Sequence, residues 1–184
     1  MSSRYVALLR GINVGGKNVI TMAALRACFE DHGFEDVMTL IQSGNVVFSS
    51  RGSARGELTL RLEAMLSEAF DYHASVMVRS SAQVRDIVAR APEGFGSTPT
   101  RYRYDVLFLK DSLTSATALE DVTTKAGVDR VWPGKTVLYF SRLIAKATQS
   151  QLSKLVSRPI YQSITIRNWN TTTKLLALMS AAKA

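Results

Sequence analysis

Residues 36–50, Asp36-Val-Met-Thr-Leu-Ile-Gln-Ser-Gly-Asn-Val-Val-Phe-Ser-Ser50, read as two short strands, 36–42 and 45–50, joined at Ser43-Gly44. β-branched and aromatic residues fill both arms, and Ser-Gly-Asn is a favoured turn composition. A turn this tight forces its two strands antiparallel. Working outward, the apolar run at 4–10 reads as a strand, and 21–32 reads as a helix with Met22, Leu25, Cys28 and Phe29 on one face. On the other side, 54–70 places Leu58, Leu62, Met65, Leu66 and Ala69 at helical spacing, and 73–79 reads as a further strand. The order is βαββαβ, with one more helix at 81–91.

Pro92, Gly94, Gly96 and Pro99 then interrupt all periodicity, after which the same order resumes. Strands are predicted at 104–110, 128–132, 136–141 and near 163–167, with helices within 112–125 and near 150–157. Pro133-Gly134 is the turn of the second hairpin. A final helix is predicted with Asn170 as its N-cap and Leu175, Leu178, Met179 and Ala182 as its apolar stripe. The reading is therefore α/β of the α+β type, with an N-terminal unit at 1–91, a linker at 92–103 and a C-terminal unit at 104–184. Each is a ferredoxin-like βαββαβ unit followed by an extra helix, a repeat of pattern with negligible identity between halves. Right-handed crossovers give each unit an antiparallel sheet of strand order 4-1-3-2 with its helices on one face.

That topology brings two polar segments together. The first two strands of a unit run parallel, so the loop after strand one and the hairpin after strand two emerge at the same end of the sheet. The loop is Arg10-Gly-Ile-Asn-Val-Gly-Gly-Lys-Asn18. Gly11, Gly15 and Gly16 permit left-handed backbone and close approach to a ligand, while Arg10, Asn13, Lys17 and Asn18 are donors suited to an anion. Gln42, Ser43, Gly44 and Asn45 should add amide and hydroxyl groups to the same rim.

The run from Gly11 to Lys17 also matches seven positions of the G-x-x-x-x-G-K-[ST] phosphate loop. Asn18 stands where the hydroxyl belongs, and phosphate-loop enzymes need a largely parallel sheet, which the hairpins exclude. Simple anion binding is the better expectation.

Strand residues 5–9, 46–48, 106–109 and 137–140 are consecutively apolar, so both sheet faces want cover, the second from the other half of the chain or from another subunit. Tyr104, Phe108 and Tyr139 accordingly read as core and not as a base-stacking platform. Arg167, Asn168, Trp169 and Lys174 form a secondary group able to hold a phosphate or stack a base. The competing structural reading has Asn170 capping the last helix, Trp169 stapling it to the sheet, and Arg167 and Lys174 facing solvent.

The 184 residues are 46% apolar, ample for a core, and carry a net charge of +8. Residues 1–100 are balanced at ten basic and ten acidic side chains, whereas 130–184 hold nine Lys or Arg and no carboxylate. Such an excess suits a polyphosphate or nucleic acid partner, or simply a solvated basic face. One cysteine, Cys28, rules out an intrachain disulfide, and two histidines leave no Cys/His cluster, so no metal and no cofactor is implied. The absence of signal-peptide features and of a long apolar run points to the cytoplasm and away from a membrane.

Leu9 to Asn18, Met22-Ala23, Leu25-Arg26, Gly33-Phe34, Ile41 to Phe48, Arg167-Asn-Trp169 and Lys174-Leu175 together closely resemble the bacterial family known as domain of unknown function 1697. The resemblance spans nearly the whole chain and implies a two-part α/β protein with ferredoxin-like elements; it implies no activity. Asn170-Thr-Thr-Thr173 departs from the family's Arg-Thr-Val after the tryptophan. Three functions of different class follow: binding of a phosphate-bearing small molecule, nucleotide or nucleic acid; an enzyme acting on a phosphorylated metabolite; or a non-catalytic homo-oligomeric or interaction module.

Overall fold

In a computed structural model of the chain, which describes residues 2–13, 18–41, 44–51 and 54–181, the two strands of the hairpin pair antiparallel, the first ending at Leu40 and not at residue 42 because Ile41 already turns at φ +53°. Strand β1 (Ser2–Arg10) is followed by helix α1 (Met22–Asp31), strands β2 (Glu35–Leu40) and β3 (Asn45–Arg51), helix α2 (Arg55–Phe70), strand β4 (Ser75–Ser80) and helix α3 (Ser81–Ala89). The order then returns as β5 (Tyr102–Leu109), α4 (Ser115–Asp121), β6 (Asp129–Pro133), β7 (Val137–Leu143), α5 (Leu152–Leu155), β8 (Ile164–Asn168) and α6 (Trp169–Ser180). The strands form two four-stranded antiparallel sheets, β2-β3-β1-β4 and β6-β7-β5-β8, in the strand order expected from the crossover rule. The fold is thus α+β, and two similar units are consistent with a duplication. Internal contacts group Met1–Val84 with Leu175–Ala184 as one unit and Arg85–Lys174 as the other.

In the first unit the alternation of strand side chains sends Ala7, Leu9, Val46, Phe48, Val76 and Val78 toward the helices. There they meet Leu25, Cys28 and Phe29 of α1 and Leu58, Leu62, Met65 and Leu66 of α2. Phe48 packs edge-on to Phe34 at 5.0 Å and tilted to Phe29 at 5.4 Å. Thr21 starts α1 by accepting the Ala24 amide on its hydroxyl, which fixes where the chain leaves the preceding loop. The opposite face holds Val6, Leu8, Val47 and Met77, also buried, which explains the unbroken apolar strands. Residues from Leu175 onward complete this unit, and Arg4 donates to the Ala181 carbonyl at 2.8 Å.

In the second unit Leu107, Leu109, Leu138 and Phe140 pack with Ala118, Leu152 and Leu155. Tyr104, Phe108 and Tyr139 are buried on the other face, as core residues should be, and Tyr139 donates its hydroxyl to the Ile87 carbonyl at 2.6 Å. One arginine occupies the same register position in each sheet. Arg79 lies opposite Val6 and Arg167 opposite Val106, and each donates at 2.9 Å to the carbonyl just before it, Val78 or Ile166.

Three expectations are corrected here. The helix predicted near 150–157 is only the single turn α5 between 3-10 turns at Ile144–Gln149 and Pro159–Ser163. Ser150 takes the Leu152 amide, and Ser153 and Ser157 bond the carbonyls of Ser150 and Lys154, offering the backbone alternatives to a helical ladder before Pro159 ends it. The cap of α6 is Asn168, whose side-chain oxygen accepts the Asn170 amide at 2.9 Å; Asn170 is already inside the helix. Arg167 does not face solvent but is 9% exposed, and desolvation pulls its guanidinium down to about 10.

Candidate functional site

Loop 10–18 begins where β1 ends, and the structure shows its neck: residues 10–13 and 18, with 14–17 outside the described residues. Gly11, Asn13 and Asn18 all have left-handed backbone, at φ +73°, +53° and +47°. The Asn13 amide donates to the Asn18 carbonyl at 3.1 Å, closing the neck. Both asparagine side chains are committed to the same closure. Asn13 donates through Nδ2 to the Ile20 carbonyl at 2.9 Å and accepts the Ile20 amide on Oδ1 at 2.8 Å. Asn18 Nδ2 donates to the Gly11 carbonyl at 2.9 Å. Asparagine suits these positions because its short amide tolerates positive φ and mimics a backbone turn.

The hairpin meets this neck directly. The Leu9 amide donates to the Gly44 carbonyl at 2.8 Å, and Ile12, 1% exposed, lies so close to Gly44 that a Cβ there would stand 2.6 Å from Ile12 Cδ1. Gly44 also has φ +75°, so both conformation and space demand glycine. Asn45 pairs with Leu8 in the sheet, is fully buried, and donates to the Leu40 carbonyl at 2.9 Å. The structure therefore brings Arg10, Gly11, Asn13, Asn18, Gly44 and Asn45 to one end of the first sheet. Gly15, Gly16, Lys17, Gln42 and Ser43 lie outside the described residues.

The phosphate-loop likeness ends at α1. That helix starts at Met22, with Asn18, Val19 and Ile20 intervening after the glycines, and its Thr21 hydroxyl is the cap. In a phosphate loop the lysine opens the helix and the backbone amides of the first turn face the phosphate. Neither the helix start nor the antiparallel sheet has that geometry.

Of the secondary group, Asn168 braces the last helix and donates to the Tyr104 carbonyl at 3.1 Å, while Lys174 is exposed. Trp169 lies edge-on to Phe95 at 5.1 Å and against Gly96, where an added Cβ would come within 2.4 Å of the indole Nε1. Phe95 is a feature the sequence reading passed over. Turns within 92–101, such as Phe95 N to Pro92 O at 2.9 Å, hold its ring edge-on to Tyr104, Trp132 and Tyr139 as well. Aromatic residues closely following a Pro-Gly break were the available signal. Cys28 is a core thiol, its pKa raised by burial and then by Asp31, and His32 ends α1 with its Nδ1 at 2.8 Å from the Cys28 carbonyl. Among the described residues no His, Cys, Asp or Glu cluster of three or more could hold a metal ion, and no helix is long and apolar enough to cross a membrane.

The fold and this site define a class, two-unit α+β proteins with a glycine loop braced on the first hairpin. The model of the family described as protein of unknown function, DUF1697, matches residues 2–139, most of the chain, and the chain belongs to that family. Among solved structures it is similar to the conserved bacterial protein SP0830 from Streptococcus pneumoniae, with 28% identity and a TM-score of 0.84, over 98% of this chain and 100% of that one. No curated protein matches it.

Proposed function

We propose that the protein binds a phosphate-bearing anion, in the cytoplasm, at the rim where loop 10–18 meets the first hairpin. The observation supporting this is the junction of Ile12 with Gly44, which fixes two sequence-distant polar segments at one end of a sheet. The division of labour differs from the one read in sequence. Asn13 and Asn18 build the neck, and the groups proposed to meet the ligand are Arg10 and Lys17 with the amides of Gly15 and Gly16. A cation held on a braced neck gives up less conformational entropy on binding than one on a free loop. Nucleotides and nucleic acid belong to the same ligand class.

Isothermal titration of the purified protein with ATP and with short RNA, each at low and high salt, tests the reading. Affinity should fall with salt and be lost in an Arg10→Ala, Lys17→Ala double variant whose circular dichroism matches the parent. Affinity unchanged in that variant, or no binding by the parent, removes the loop from consideration.

A further inference from the structure

We propose that the second unit carries a separate ligand cleft, shaped for a planar heteroaromatic ring bearing one anionic substituent, between the turns at 92–98 and the outer face of β5, β7 and β6. The cleft has a volume of about 180 Å3 and is lined by Phe95, Tyr102, Tyr104, Arg130, Trp132 and Ser141, among others. Its origin can be followed in the sheet register. Tyr104 of β5 pairs with Ser141 of β7, which pairs with Arg130 of β6, and the next row is Val106, Tyr139 and Trp132. Phe95 stands over the face, 4.9 Å from the Tyr104 ring, 5.4 Å from Tyr139 and 5.9 Å from Trp132. In the first row the central residue is a serine, not a ring, and the space it leaves is the cleft.

Three observations decide what fits. Phe95, Tyr102 and Trp132 are only half-buried, so ring surface remains at the cleft wall, where a planar ring stacks or packs edge-on. Ser141 lines the cleft and offers its hydroxyl as the polar group at the middle of the first row. A hydroxyl on the cleft wall can bond a polar atom of an occupant, so a heteroaromatic ring suits it better than a pure hydrocarbon ring. The Tyr104 hydroxyl, by contrast, is satisfied by Thr98 Oγ1 at 2.7 Å. Arg130 is exposed at the edge of the cleft with no ion-pair partner among the described residues, placing a forked donor where an acidic substituent would leave the ring. Ring walls, one hydroxyl on the wall and one rim guanidinium together describe a heteroaromatic ring with one anionic substituent.

Both tryptophans of the chain, Trp132 and Trp169, belong to this unit, so tryptophan fluorescence is the readout. The probe is adenosine monophosphate, with ribose 5-phosphate as the anion lacking a ring. The expected result is saturable quenching by adenosine monophosphate, none by ribose 5-phosphate, and a half-saturation raised by about tenfold or more in Arg130→Gln. Ser141→Val, which fills the space between Tyr104 and Arg130, should abolish the quenching, while an Arg10→Ala, Lys17→Ala variant should retain it. The proposal is overturned by no saturable quenching up to roughly 10 mM, by equal response of Arg130→Gln and the parent, or by ribose 5-phosphate acting as well as the nucleotide.

Discussion

Replacing Gly44 with alanine probes the junction between loop and hairpin directly. At φ +75° an L residue with a Cβ costs about 1–2 kcal/mol. The new methyl would also stand 2.6 Å from Ile12 Cδ1 and 2.8 Å from Leu9 Cβ, against an ordinary carbon separation of about 3.5–4.0 Å. Ile12 and Leu9 are each 1% exposed and have nowhere to retreat, so overpacking adds about 1–3 kcal/mol. The sum is about 2–5 kcal/mol, a large part of the usual stability of a domain. At about 2–4 °C per kcal/mol for a chain of this size, Tm should fall by about 4–20 °C. Gly33 supplies the control: it has φ +79° but open space where its Cβ would lie, so Gly33→Ala should carry the conformational cost alone. Urea and thermal unfolding followed by far-ultraviolet circular dichroism measure both variants. Pairing Gly44→Ala with Ile12→Ala should recover part of the loss, since the methyl then enters vacated space. If Gly44→Ala proves no worse than Gly33→Ala, Ile12 does not pack on the hairpin and the basis of the anion-site reading fails.

Other expectations follow from the same physical terms. Gly96→Ala combines φ +86° with a Cβ only 2.4 Å from Trp169 Nε1, so it should destabilise by about 2–5 kcal/mol and shift tryptophan emission; wild-type stability and spectrum would contradict the packing described. Burial raises the Asp105 pKa above 3.8, opposed by Arg142 at 3.2 Å and by Arg103. Folding therefore favours the protonated acid, and the stability of the parent relative to Asp105→Asn should decline as pH rises from below 3.8 through the raised value, read as urea midpoints; the opposite slope would show that the arginines win. Cys28, 7% exposed with its pKa raised by burial, should react with iodoacetamide at pH 8 far more slowly than a free thiol, and at the free rate once unfolded in urea.

What is legible in the sequence is whatever the local chain decides. Ser43-Gly44 between two β-branched runs points to an antiparallel pair, and the strand order of each sheet follows from right-handed crossovers. Thr21 ahead of an amphipathic run gives the start of α1, and the consecutive apolar residues at 5–9 correctly signalled a sheet buried on both faces. The failures are where local and distant terms compete. Serines 150, 153 and 157 look compatible with a helix until their hydroxyls are seen bonding nearby backbone. Asn168 and Asn170 are equally good caps by composition, and strand β8 running to Asn168 selects the first. The asparagines of the glycine loop looked like ligand donors because sequence shows functional groups without their partners. Phe95 and Ser141 were invisible as a pair, since only register and long-range folding bring a ring over a serine.

The bond from Arg4 to the Ala181 carbonyl joins residues 177 apart in the chain, and the first unit counts residues from Leu175 onward as its own. A nascent polypeptide emerging from the ribosome therefore cannot finish its amino-terminal half first. Residues 2–84 must wait, incompletely closed, until the segment 175–181 has been translated, so a frameshift or nonsense codon before Leu175 would harm a part of the protein made long before it.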